Sequence, residues 1–264
     1  MKLSILCALA FSLSLLCGCA DNAKNVFERG VSASQAGDFD AAITAFTEVI
    51  RLDPKYANAY YGRAYACGQK GEFEKALADY SEAIRLDPKN ADAYINRGIA
   101  YRHKGQRDKA IADYNEAIRL NPKYDKPYYH RGNAYRRKGE LDKAITDYTE
   151  TLRLNPKYAM AYCNRGSAYR HKGEYDKALA DCSEAIRLAP KLAVAYCGRG
   201  NACQEKAEYN RAIADYSEAI RLDPKLARAY YHRGTAYDKM GEKAKAEEDL
   251  AQAKMLGYKP KAGI

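Results

Sequence analysis

The sequence predicts an all-α solenoid built from about seven helix-turn-helix repeats. Three observations carry that prediction. Prolines stand at 54, 88, 122, 156, 190 and 224, always 34 residues apart. The stretch "NRGIAYRHKG" at 96–105 returns as "HRGNAYRRKG" at 130–139, "NRGSAYRHKG" at 164–173 and "GRGNACQEKA" at 198–207. Within each period, apolar and small residues recur at helical spacing in two separate runs. A reactive group is needed once, so a motif that returns at a fixed period is first a signal of architecture.

The elements follow in order within one period. In the third repeat Tyr94, Gly98 and Tyr101 lie at i, i+4 and i+7, one face of a first helix. Lys104 and Gly105 end it, a cation and a glycine suited to a helix C-terminus. Asp108 opens the second helix, whose apolar face is Ala110, Ile111, Tyr114, Ala117 and Ile118, and Arg119 sits near its end. Gly98 and Ala110 are small where the two helices cross. Pro122 prevents continuation. A hairpin of this kind cannot bury both faces alone and must stack on its neighbours.

The spacing Tyr94, Arg97, Gly98, Tyr101, Ala110, Tyr114, Pro122 resembles the tetratricopeptide-repeat (TPR) pattern of Trp, Leu, Gly, Tyr, Ala, Phe and Pro. The resemblance implies an all-α, right-handed superhelical solenoid of about seven helix-turn-helix TPR units over residues 26–258, with repeats near 23–56, 57–90, 91–124, 125–158, 159–192, 193–226 and 227–258. Two departures stand out. The family's Trp is Tyr in repeats two to seven. Its Leu is Arg in all seven: Arg29, Arg63, Arg97, Arg131, Arg165, Arg199 and Arg233. A guanidinium at a packed position needs acceptors. The second helices offer Asp79, Asp113, Asp147, Asp181 and Asp215, and Glu48, Glu82, Glu116, Glu150, Glu184 and Glu218. The expectation is an inter-repeat ladder of Arg–carboxylate pairs, with ligand binding as the other role open to these arginines.

The array is expected to stop at repeat seven. Two series of aliphatic stacking residues run along the second helices, one from Ile43 to Ile213 and one from Ile50 to Ile220. They become Glu247 and Lys254 in the last repeat, a polar outer face of the kind a terminal repeat needs. Residues 259–264 form a short tail.

Residues 1–19, "MKLSILCALAFSLSLLCGC", read as a signal peptide: Lys2, then an apolar run too short to span a membrane. The ending "LLCGC" resembles a bacterial lipobox with Cys19 as the acylated residue, although Cys17 departs from the usual choice. Ordinary cleavage near Ala20 is the alternative. The resemblance implies an outer-membrane lipoprotein facing the periplasm, held by a short tether at 20–25; a soluble periplasmic or secreted protein is the other outcome. Cys67, Cys163, Cys182, Cys197 and Cys203 lack CxxC or metal-ligand spacing and read as core or groove residues. Cys182 and Cys203 replace packed tyrosines of successive helices, which leaves a disulfide between them as the lesser alternative.

The balance of Lys and Arg over acids, +10 formally, favours acidic partners. In the resembling family, the stripe beside the buried face of the first helices lines a concave groove. Here the candidate residues are Tyr61, Tyr65, Ile99, Arg102, His103, Tyr129, Asn133, Arg136, Arg137, Arg170, His171 and Asn201. Arginine forks with flat tyrosines suit an acidic or carboxylate-bearing peptide. Ordinary solvated charges at helix ends are the competing account. The lysine-asparagine carboxylate clamp of the family is not recognisable. The four histidines are repeat equivalents too far apart to share a metal, and no Ser-His-Asp or phosphate-loop pattern occurs. The expectation is therefore a non-catalytic scaffold or adaptor without metal or cofactor, binding protein or peptide partners at the cell envelope and attached to the membrane if Cys19 is acylated. Glycan or peptidoglycan binding is the alternative. Nucleic-acid binding is disfavoured by export.

Overall fold

A computed structural model describes residues 22–259. The leader, the acylation site expected at Cys19 and the tail beyond Lys259 lie outside the described residues. Within them the chain forms fourteen helices and no strand. α1 is described over 22–35. It is followed by α2 (Phe39–Leu52), α3 (Ala57–Gln69), α4 (Phe73–Leu86), α5 (Ala91–His103), α6 (Arg107–Leu120) and α7 (Asp125–Lys138). The second half has α8 (Leu141–Leu154), α9 (Ala159–His171), α10 (Tyr175–Leu188), α11 (Ala193–Glu205), α12 (Tyr209–Leu222), α13 (Ala227–Lys239) and α14 (Lys243–Met255). Each odd helix pairs with the next even one. The chain divides within α7, at His130/Arg131, into two compact units. No described helix is long and apolar enough to cross a membrane.

Local chemistry sets each turn. Gly105 has φ +75°, which lets the N–H of Gln106 donate to the carbonyl of Tyr101 at 2.9 Å and close the end of α5. The same geometry recurs in every hairpin, but in the sixth the left-handed residue is Ala207, at φ 59°. Between hairpins, the Asp or Asn before proline caps the loop, except where Ala189 stands there. Asp87 Oδ1 accepts from the Lys89 N–H at 3.1 Å, and Asn121 Oδ1 from that of Lys123 at 3.2 Å.

The crossing point inside most hairpins is a small residue against a buried ring. A Cβ added at Gly98 would lie 2.6 Å from the Tyr114 ring, at Gly132 2.9 Å from Tyr148, and at Gly200 2.7 Å from Tyr216. The three rings are fully buried. In the fifth repeat Cys182 takes the ring's place, 3.1 Å from the same point on Gly166. All five described cysteines are free, Cys182 and Cys203 included.

The ladder of arginines exists, but its wiring differs from expectation. Arg97 donates twice to Asp113, at 2.9 and 2.7 Å, within one hairpin. Arg63–Asp79, Arg131–Asp147, Arg165–Asp181, Arg199–Asp215 and Arg233–Asp249 repeat the fork. The link to the preceding repeat is a neutral hydroxyl: Arg63 reaches Thr47 at 3.2 Å, Arg97 Ser81 at 3.2 Å, Arg165 Thr149 at 3.0 Å and Arg233 Ser217 at 2.9 Å. The glutamates take no part in the forks. Glu48, Glu82, Glu116, Glu150, Glu184 and Glu218 pair with the arginine three residues on, at the surface. In the first repeat Ala45 stands sixteen residues after Arg29, where an aspartate stands elsewhere, and Arg29 is exposed. Burial pushes the Asp113 and Asp147 carboxyls up against the pull of their arginines. A buried pair of this kind contributes more to register than to net stability.

At the far end Glu247 and Lys254 are exposed. Tyr258 folds back to stack on Tyr231, ring centroids 4.5 Å apart.

Candidate partner-binding site

The stripe on the first helices is positioned by the buried face beside it, and clefts open along it in both compact units. In the N-terminal unit a cleft of about 390 Å³ is lined by Tyr65, Gln69, Phe73, Tyr80, Asn96, Ile99 and His103. Three of the sequence candidates, Tyr65, Ile99 and His103, meet there. Tyr65 is 38% exposed. His103 stacks flat on Phe73 at 4.6 Å, and Arg102 reaches 3.3 Å from its Nε2. Tyr61 is spent on packing: its hydroxyl accepts from Asn96 at 2.8 Å, its ring meets Tyr80 edge-on, and burial pushes its phenol up to about 12. Tyr129 packs edge-on against His130 at 5.4 Å.

In the C-terminal unit a polar cleft of about 200 Å³ brings together Arg136, Arg170 and Asn201 with Asn164, Ser167, Cys163, Cys197 and Arg228. Its existence follows from two substitutions. Cys163 and Cys197 occupy the position that is Tyr129 and Tyr231 in the flanking repeats, and a thiol leaves room where a ring would not. Burial pushes Cys163 up to about 12 and Cys197 up to about 11, so neither is a thiolate at neutral pH. Arg228 lies beside Cys197. Arg170 donates to Glu205 at 3.0 Å. His171 is held neutral by burial: its Nδ1–H donates to the Ser167 carbonyl at 2.6 Å, which leaves Nε2 to accept from Arg170 at 3.1 Å. Arg137 is exposed and lines neither cleft.

Asn133 is 7% exposed. Its Oδ1 accepts from the Tyr148 hydroxyl at 2.8 Å and from Asn164 at 2.9 Å. Asn201 likewise accepts from Tyr216 at 2.9 Å while keeping a face on the cleft. The acceptor stands fifteen residues before the tyrosine. In the third repeat that position is Ile99, and the Tyr114 hydroxyl is buried without a partner, as are His130 Nδ1 and Arg136 Nε. Cys163 and Cys197, expected as core or groove residues, line the polar cleft, as does Arg228 on the same stripe of the first helices, whereas Asn96 was not expected in a cleft. Among the described residues no group of three or more His, Cys, Asp or Glu side chains is placed to hold a metal ion.

The family model described as tetratricopeptide repeat matches residues 27–90 and 129–193, and further models of that description match 80–112 and 227–256. A TPR repeat model matches 98–139 and 200–241. The chain belongs to the tetratricopeptide-repeat family. Among solved TPR structures, a protein from Parabacteroides merdae is 24% identical with a TM-score of 0.74, covering 90% of this chain and 94% of its own. MamA is 30% identical with a TM-score of 0.59, over 66% of this chain and 95% of its own. YrrB, described as a TPR protein with an unusual peptide-binding site, is 25% identical with a TM-score of 0.57, over 70% and 95%. No curated protein matches the chain. TPR folds serve as protein–protein interaction scaffolds, and that general role extends to this chain.

Proposed function

We propose that this TPR protein is a non-catalytic adaptor that captures acidic segments of protein partners at the cell envelope. The observation that carries the reading is the convergence of Arg136, Arg170 and Arg228 on one small polar cleft. Guanidinium forks bind carboxylates bidentately, and enclosure strengthens the contact. Glu205 on Arg170 is an internal example of the group the cleft accepts. The peptide-binding site of YrrB, a structural relative, supports a peptide as ligand. The envelope location rests on the leader and on Cys19 in a lipobox-like context. A peptidoglycan fragment is the second reading, favoured by the aromatic and amide lining of the N-terminal cleft at Tyr65, Gln69 and Asn96.

The test is capture of an Asp/Glu-rich peptide by the full chain and by an Arg136→Gln, Arg170→Gln, Arg228→Gln variant. Each lost charged hydrogen bond is worth about 1.5 to 3 kcal/mol, so affinity should fall at least a hundredfold with helicity unchanged. Equal capture by both proteins would remove the cleft from the function. Muropeptide binding that resists salt and is lost with Tyr65→Ala would favour the second reading. Palmitate labelling that disappears in Cys19→Ser tests the anchor.

A further inference from the structure

A second feature, in the N-terminal unit and independent of the arginine cleft, concerns a ring that four repeats carry and the second lacks. Near the end of the first helix, repeats three, four, five and seven carry Tyr101, Tyr135, Tyr169 and Tyr237. A lysine of the second helix covers each ring. Lys109 lies 5.4 Å from the Tyr101 centroid, and Lys143, Lys177 and Lys245 lie 5.3 Å from Tyr135, Tyr169 and Tyr237. The ladder arginine flanks the ring as well: Arg97 is 5.9 Å from Tyr101 and Arg165 is 5.9 Å from Tyr169. The Tyr101 and Tyr169 rings thus each lie within 6 Å of two cations, an arrangement the negative ring face favours.

The second repeat has Cys67 at this position. A cleft of about 300 Å³ opens there, with Ile43, Thr47, Arg63, Cys67, Lys75 and Ala78 in its lining. Both cations keep their posts. Arg63 is forked onto Asp79 at 2.7 and 2.8 Å. Lys75 is tied to Glu72 at 2.7 Å, as Lys143 is to Glu140 at 2.7 Å and Lys177 to Glu174 at 2.6 Å. Ile43 and Ala78 supply apolar wall. The volume sits at the lower end of the 300 to 1,000 Å³ or so that small-ligand sites occupy. Cys67 is buried, which pushes its thiol up, so its part is to leave space rather than to react.

We infer that the cleft at Cys67 is a binding site for an aromatic side chain of a protein partner, inserted between Arg63 and Lys75 as Tyr101 lies between Arg97 and Lys109. The occupant is read from the chain itself, since the equivalent places in four other repeats hold a tyrosine ring. The partner completes the repeat.

The experiment titrates the methyl-labelled full chain with 4-methylphenol, the tyrosine side chain, and with trans-4-methylcyclohexanol as a non-aromatic control. Cys203 stands at the same position in the sixth repeat with Arg211 in the lysine's place, so the readout is kept to the Ile43 and Ala78 methyl signals. The expected result is a saturable shift with about fivefold preference for the phenol. Cys67→Tyr should abolish the shift, because the chain then supplies its own ring, and should raise the melting temperature. Lys75→Gln should weaken binding about threefold. No shift, an equal response to the cyclohexanol, or a shift that survives Cys67→Tyr overturns the proposal. If Cys67→Tyr loses its helical circular dichroism, Lys75→Gln decides, and unchanged affinity overturns it.

Discussion

Arg97 and Asp113 are joined by two hydrogen bonds, at 2.9 and 2.7 Å, inside a single hairpin, while the third guanidinium nitrogen reaches back to Ser81. The pair fixes the packing of α5 on α6, and the hydroxyl contact sets the phase of the next repeat. Removing one charge strands the other. Asp113→Ala should destabilise the chain by roughly 3 kcal/mol, whereas Arg97→Leu with Asp113→Leu should recover most of that loss. Urea unfolding of the three proteins checks it, and equal losses in the single and double variants would contradict it.

Tyr114 has a buried hydroxyl with no acceptor, because Ile99 stands where Asn133 and Asn201 serve Tyr148 and Tyr216. Ile99→Asn should supply the bond and stabilise the chain by about 1 kcal/mol, the usual net value of a satisfied hydrogen bond. The thermal midpoint should rise; a fall would mean that the lost Ile99 contacts outweigh the bond.

His130 and His232 are each pushed down by burial from 6.5 to about 4. Both are neutral in the folded chain at neutral pH. Between pH 6.5 and 4 the unfolded chain binds more protons than the folded one, so stability is fully present above that window and falls as the pH drops through it. The loss is on the order of 2 to 3 kcal/mol per histidine. Urea midpoints measured from pH 7 to 4 should fall less steeply in His130→Gln, His232→Gln.

Glu205 is 44% exposed and meets Arg170 through one contact, unlike the forked aspartates of the ladder. Such a pair is worth about 0.2 to 1 kcal/mol. Glu205→Gln should therefore tighten binding of a hexaglutamate peptide by about two- to fivefold in fluorescence anisotropy. Unchanged affinity would mean that Glu205 does not compete with the ligand.

The hairpins were legible because each structural position is sampled repeatedly, so Gly98, Tyr114 and Pro122 declare themselves by recurrence. The ladder was half legible. Period alone does not separate the aspartates from the glutamates, since both recur. The distinguishing signal was local: each glutamate has an arginine three residues on, as Glu116 has Arg119, and satisfies itself at the surface. The polar cleft was less legible because charges were read repeat by repeat. Arg228 joins Arg136 and Arg170 only because Cys163 and Cys197 leave space, and that is a property of volume rather than of charge. Asn133 misled for the opposite reason: a polar residue on the exposed-looking stripe was consumed by a tyrosine hydroxyl from beneath.

Ala207 gives the array an unequal joint. Its φ of 59° costs about 1 to 2 kcal/mol that glycine avoids at the corresponding turns. In a row of near-identical repeats, fraying ordinarily starts at the ends, where neighbours are missing. A strained turn in the interior lowers the local barrier between α11 and α12, so amide protons there exchange with solvent through openings that the rest of the C-terminal unit does not share. Under tension, the sixth repeat is where this chain would give first.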